Sequence, residues 1–256
     1  MFALPRARLA VLPPARLAAR GFSQTHTAKT VVSNFAQQGK KIVAIGRNYS
    51  AHIRELSNEA PEEPMFFLKP TTSYLQSGGN VEIPQGVTAH YEVELGVVIG
   101  KTGRDIPQDE AEYHIAGYAL AVDMTARNMQ DVVKRKGHPW SAVKGFDTFT
   151  PISAFIPKVA VSDPNRLTLT LKVNGVTQQE DSTAHMMFKI PRMIEHISSI
   201  MTLEEGDLVL TGTPPGVGPL VPGDKVECTL TDRDRRELAA LSFGAVQRQG
   251  GYKFAP

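Results

Sequence analysis

Short apolar runs, most of them stopped within a few residues by glycine or proline, set the hydrophobic pattern of this chain. Lys41-Ile42-Val43-Ala44-Ile45 reads as a strand ended by Gly46, Met65-Phe66-Phe67-Leu68 as a second stopped by Pro70, and Val81-Glu82-Ile83 as a third stopped by Pro84. Residues 91–99 and 115–122 predict two longer strands. Residues 167–173 predict another, turning at Asn174-Gly175, the strongest hairpin signal in the sequence. Further strands are expected over 207–210, 225–230 and 238–246. Helical signals are fewer. Ser50 begins a short helix to Leu56, Thr125 starts one over 126–136 that Gly137-His138-Pro139 ends, and Pro191 opens one over 192–200. Strands outnumber helices and are joined by irregular proline- and glycine-rich loops, which predicts an α+β, mainly β roll and argues against a doubly wound nucleotide fold. No internal repeat, coiled coil or linker divides the chain.

Composition narrows the setting. The chain has 256 residues, 41% hydrophobic and 21% charged, and no run of 18 apolar residues that would cross a bilayer as a helix. Cys228 is the single cysteine, which excludes an intrachain disulfide framework and any cysteine-cluster site and fits a reducing compartment. The formal charge of +2 hides an asymmetry, because Arg6, Arg8, Arg16 and Arg20 all precede the first acidic residue, Glu55. This acid-free, alanine- and leucine-rich start reads as a mitochondrial transit peptide, although Pro5, Pro13 and Pro14 interrupt the helix such a peptide needs. Arg20-Gly21-Phe22-Ser23 resembles a matrix-protease site. The expected organisation is a transit peptide over 1–22, an extension over 23–40 and one catalytic domain over 41–256, in the mitochondrial matrix. No stripe of basic and aromatic residues suggests nucleic acid.

Candidate chemistry is concentrated in the two longer predicted strands. Glu92 and Glu94 lie two apart in an otherwise apolar segment, so a strand would send both to one face while Val93, Leu95 and Val97 point to the other. Like charges so placed repel and resist burial unless a cation compensates them. Asp123 closes the second apolar run and would supply a third oxygen if the two strands end side by side. Three carboxylates without a paired histidine suit Mg2+, or Mn2+, better than zinc. The competing reading is the solvated face of a sheet edge.

Other candidates are double-edged. His52 and Glu55 are three apart on the first helix, the spacing of a carboxylate-assisted general base or of an ordinary surface contact. The loop after them, through Pro64, reads as a short lid. Arg127 and Gln130 suit a substrate carboxylate and carbonyl, or belong to a polar helix face. Lys144, in apolar surroundings, either neutralises an enolate oxygen or forms a buried salt bridge. The turn Thr211-Gly212-Thr213-Pro214-Pro215-Gly216-Val217-Gly218 lacks P-loop spacing; it could cradle a small carboxylate or serve packing alone.

Taken in order, Gly46-Arg47-Asn48-Tyr49 with His52 and Glu55, Phe67-Leu68-Lys69-Pro70, His90-Tyr91-Glu92-Val93-Glu94-Leu95, Asp123-Met124-Thr125-Ala126-Arg127, Lys144-Gly145-Phe146-Asp147 and Thr211-Gly212-Thr213-Pro214 resemble the fumarylacetoacetate hydrolase family. The resemblance spans roughly residues 41–230. It implies a mixed β-sandwich roll of the fumarylacetoacetase C-terminal-domain type that forms homodimers, with magnesium held by Glu92, Glu94 and Asp123. It further implies a His52–Glu55 dyad on a lid, Lys144 near substrate, substrate contacts at Arg127 and Gln130, and a pocket bordered by Thr211, Gly212 and Thr213. The implied reactions are oxaloacetate decarboxylation, acylpyruvate hydrolysis and oxaloacetate keto–enol tautomerisation, all passing through a metal-bound enolate. A non-catalytic carboxylate binder with a structural ion is the rival from another class. After Leu230, the stretch Thr231-Asp232-Arg233-Asp234-Arg235-Arg236 departs from the family pattern, which puts the register of the last strand in question.

Overall fold

The computed structural model describes residues 33–55 and 59–255. The expected transit peptide, part of the extension, and Leu56, Ser57 and Asn58 at the start of the expected lid lie outside the described residues. The apolar runs form three sheets. A mixed eight-stranded sheet contains β1 (Ile42–Gly46), β2 (Met65–Lys69), β3 (Tyr74–Gln76), β6 (Val93–Ile99), β7 (Ile115–Val122), β9 (Thr150–Ile152), β10 (Ile156–Pro157) and β13 (Leu208–Leu210). A five-stranded sheet is built from β4 (Asn80–Ile83), β11 (Thr168–Val173), β12 (Val176–Ser182), β15 (Lys225–Thr231) and β16 (Glu237–Gln247). The third pairs β5 (Ala89–Tyr91) with β8 (Thr125–Ala126) and β14 (Gly218–Leu220). This is the mainly β roll that the pattern predicts.

The main core lies between the two larger sheets. Val93, Leu95 and Val97 of β6 meet Leu169 and Leu171 of β11, Val226 and Leu230 of β15, and Leu241 and Phe243 of β16 in one buried cluster. The opposite face of the eight-stranded sheet is buried as well. Ile42, Ala44, Val98, Ala121 and Leu210 pack there under Phe35 from the short helix Phe35–Gln38. A strand with both faces covered reads as a continuous apolar run, which is why β6 and β7 are legible as strands and why a carboxylate within β6 has no solvated side to occupy.

Three expectations change on folding. The predicted strand over 91–99 is broken at Glu92, with β5 and β6 belonging to different sheets. Gln179 of β12 repairs the break: its Oε1 accepts the Val93 N–H at 3.0 Å, and its Nε2 donates to Thr213 Oγ1 and the Pro214 carbonyl at 2.9 and 2.8 Å. Thr125 does not cap the following helix, Arg127–Lys136; it lies in β8 and turns its hydroxyl to Glu92. Gly137 does end that helix, in the left-handed conformation. Finally, 232–236 form a tight turn in which Asp232 Oδ1 accepts the N–H groups of Asp234 and Arg236, so β16 pairs with β15 along most of its length, with one shift beside Leu230 and Thr231. The Asn174-Gly175 hairpin forms as expected, both residues having positive φ.

Candidate metal centre

Antiparallel pairing brings the acids together. Val93 faces Val122 and Glu94 faces Ala121 in the β6–β7 register, and the Asp123 N–H donates to the Glu92 carbonyl at 2.8 Å. Asp123, one residue past the end of β7, is thereby set beside the break before β6. Carboxylate oxygens of Glu92, Glu94 and Asp123 all lie within 4.8 Å of one another, and all three residues are buried.

Their compensation is uneven. Asp123 accepts from Lys69 Nζ and Lys144 Nζ, each at 2.5 Å. Glu92 accepts from Lys144 Nζ at 2.9 Å, from Thr125 Oγ1 at 2.9 Å and from the Arg127 guanidinium. Burial alone would raise the Glu92 carboxyl, yet Lys144, Arg127 and His52 overcome that and hold it well below the ordinary range. Among the described residues Glu94 receives one hydrogen bond, from the Gly212 N–H at 2.6 Å, and forms no ion pair. Burial and the neighbouring charges of Asp123 and Glu92 push its carboxyl well above the ordinary range. A buried carboxylate so poorly compensated, with two others in reach, is the donor set a hard divalent cation fits.

Lys69 is the residue that sequence reasoning missed. It is fully buried, and burial pulls its ammonium below the ordinary range despite Asp123. A lysine closing the apolar run 65–68 is the same signal that singled out Lys144. Gln179, by contrast, sits in a polar stretch with nothing to distinguish it.

The remaining candidates surround a cavity of about 130 Å³ that the three acids floor, lined also by His52, Lys144, Arg127, Gln130, Arg47 and Thr213, with Phe67 and Trp140 as apolar wall. His52 Nδ1 is 3.0 Å from Glu55 Oε2, on the helix Ser50–Glu55, and Glu55 accepts the Gly216 N–H at 3.1 Å. Lys144 forms the buried salt bridges and also lies 4.9 Å from the centre of the Phe67 ring. Arg127 Nη1 donates to Gln130 Oε1 at 2.6 Å, so the two act as one unit.

The glycine-rich turn holds a carboxylate, but one of the protein's own. Gly212 clamps Glu94, while the hydroxyls of Thr211 and Thr213 donate to the carbonyls of Leu95 and Val93 at 2.9 and 2.8 Å. Thr213 lines the cavity; Thr211 and Gly212 stand behind it. The polar groups of all three residues are committed to β6.

A mainly β roll holding an acidic triad able to take a metal ion, backed by buried lysines and faced by a His–Glu pair, marks the chain as an enzyme. The chain belongs to the fumarylacetoacetate hydrolase family: the family model for the fumarylacetoacetate (FAA) hydrolase C-terminal domain matches residues 41–249. The chain is 53% identical to oxaloacetate tautomerase FAHD1, mitochondrial, of Arabidopsis thaliana, over 86% of this chain and 97% of that protein. It is also 53% identical to oxaloacetate decarboxylase, mitochondrial, of Dictyostelium discoideum, over 79% and 94%. Among solved structures, fumarylpyruvate hydrolase from Pseudomonas aeruginosa in complex with Mn2+ and pyruvate superimposes with a TM-score of 0.74 at 34% identity, covering 82% of this chain and 90% of that one.

Proposed function

We propose that this chain is a mitochondrial, magnesium-dependent enzyme of oxaloacetate, working in the matrix as a homodimer, with Mn2+ able to replace Mg2+. The observation that carries the reading is the uncompensated Glu94 beside Glu92 and Asp123, in a family whose members at half identity are named for oxaloacetate. Glu92, Glu94 and Asp123 would hold the ion, which supplies Lewis acidity toward a 2-oxo acid. Charge supports a small dianion. With an ion bound, three ionised carboxylates stand against Lys69, Lys144 and Arg127, and the cluster carries a charge of about +2.

The chain's residues then divide the work. Arg127 and Gln130 orient the substrate at the cavity wall, with Thr213 beside them. Lys144 offsets the negative charge that develops on the 2-oxo oxygen. His52, its ring fixed by Glu55, moves the proton at C3, which is all that keto–enol tautomerisation requires. Loss of carbon dioxide from C4 places the same charge on the same oxygen and needs no water. Acylpyruvate hydrolysis would use His52 to draw a proton from water. One cavity therefore serves all three reactions, and oxaloacetate, the substrate of the first two, is also the compound that the relatives are named for.

Product analysis on keto oxaloacetate, enol oxaloacetate and acetylpyruvate, with and without magnesium, tests this once spontaneous and metal-promoted reactions are subtracted. Magnesium-dependent conversion of oxaloacetate is expected, reduced at least ~100-fold in His52→Ala. Conversion no faster than the metal blank would refute the proposal.

A further inference from the structure

The helix Arg127–Lys136 carries charged residues at Arg127, Asp131, Lys134, Arg135 and Lys136, and helix geometry sorts them by face. Arg127, Gln130, Asp131 and Lys134 all line the cavity, and on a helix of 3.6 residues per turn such positions fall within an arc of about 100°. Arg135 follows roughly 40° beyond that arc, on the Asp131 side, whereas Lys136 points about 180° from Arg127, away from the cavity. Asp131, Lys134, Arg135 and Lys136 are exposed, unlike the buried acids of the cavity floor, so the end of the helix forms part of the mouth.

Helix-end carbonyls favour cations in a last turn, which accounts for three successive basic residues before Gly137. It does not set what the two nearest the cavity do to an approaching ligand. The Arg127 charge is held by Glu92, and neither Arg135 nor Lys136 makes a side-chain hydrogen bond or ion pair among the described residues. At the mouth of the cavity this helix therefore sets two cations, Lys134 and Arg135, against one anion, Asp131.

We propose that Lys134 and Arg135 form a basic rim that draws a doubly charged 2-oxo acid into the cavity, with Asp131 opposing it and setting how strong the attraction is. This inference rests on the oxaloacetate reading above and adds how that substrate is captured. The rim acts through its field, without a contact to the reacting atoms. A unit charge at about 8 Å from a dianion changes its affinity ~4-fold in water at about 10 mM salt, where the screening length is about 30 Å, and only ~1.3-fold at about 0.5 M, where it is about 4 Å. The free energy scales with the ligand's charge, so a monoanion feels the square root of each factor. Oxaloacetate, with two carboxylates, thereby gains over a 2-oxo acid with one.

The test measures oxaloacetate turnover by magnesium-loaded wild type, Lys134→Gln, Arg135→Gln, their double variant, Arg135→Lys, Asp131→Asn and Lys136→Gln at both salt levels, with pyruvate as a competitive inhibitor. At low salt Lys134→Gln and Arg135→Gln are each expected to raise KM ~4-fold and the double variant ~15-fold, with kcat within ~2-fold, while Asp131→Asn lowers KM ~4-fold. Arg135→Lys should keep the wild-type KM, and Lys136→Gln, with the same charge removed from the far face, should change it by less than ~2-fold. The inhibition constant of pyruvate should move in the same directions by ~2-fold for each single variant at the mouth, and all differences should shrink below ~2-fold at high salt. Effects of Lys136→Gln as large as those of the rim variants, shifts that persist at high salt, or a KM that rises in Asp131→Asn would overturn the assignment. If wild type did not turn over oxaloacetate, the proposed function would fall, and the rim would be judged by calorimetry on manganese-loaded protein at low salt. There the double variant must weaken 2-oxoglutarate ~15-fold and pyruvate ~4-fold; equal factors, or no binding to wild type, overturn it.

Discussion

Glu94 concentrates the electrostatic problem at the scale of single residues: it is buried, forms no ion pair among the described residues and faces two like charges. Glu94→Gln keeps an acceptor for the Gly212 N–H but removes the charge. Calorimetric titration is therefore expected to show magnesium affinity down by ~100-fold or more, while the ion-free variant is as stable as wild type or more so, by about 1 kcal/mol. A destabilised variant with unchanged affinity would contradict the role. Lys69→Met removes one of two ammonium partners from buried Asp123, and chemical denaturation should register a loss of about 3 kcal/mol. His90, beside the site, is pulled down to about 4 by burial and by Arg127. Folding favours its neutral form, so that contribution to stability is present above the ordinary histidine value of about 6.5 and is lost as pH falls towards 4. Denaturation at pH 7 and pH 5 should show a smaller pH-induced loss for His90→Gln than for wild type. The acids were legible because carboxylates in apolar runs conflict with their surroundings. Lys69 carries the same conflict at the end of a shorter run, whereas Gln179 works through a strand break that no local pattern announces.

Among the elements, the turn over 211–218 connects more of the site than any other. One N–H, from Gly212, holds a carboxylate of the acidic triad; another, from Gly216, holds the carboxylate of the His52–Glu55 pair. Gly212 has φ of 96°, and a β-carbon there would lie 2.8 Å from that of Asn48. Gly212→Ala is thus expected to cost about 2 kcal/mol and to weaken magnesium binding along with it; thermal melts that leave the midpoint unmoved would show that the turn yields freely. Sequence pattern captured β7 to the residue and β6 nearly so, because both faces of each are covered. It joined β5 to β6, since the interruption at Glu92 is made by tertiary contacts, with Gln179 satisfying one side and Asp123 the other. Periodicity carries no trace of a partner 86 positions downstream of Val93.

For the whole molecule, the roll exists to give a charged cluster an interior. Two large sheets enclose the apolar core, and Glu92 at the break between β5 and β6 lines the cavity together with Glu94. The fold class was readable from short strands and irregular loops, but which sheets the strands join was not, because β1 pairs with β13 and β4 with β16 across long stretches of chain. Mitochondrial naming of the relatives and the arginine-rich start agree on a destination. All of the proposed chemistry depends on one divalent ion occupying the triad. The most direct measurement is oxaloacetate turnover by metal-stripped protein during titration with magnesium. Turnover should begin at the spontaneous rate and rise to saturation at one high-affinity ion per chain, with no such rise in Asp123→Asn. Full enzymatic turnover in the stripped protein, unaltered by added magnesium, would contradict the account.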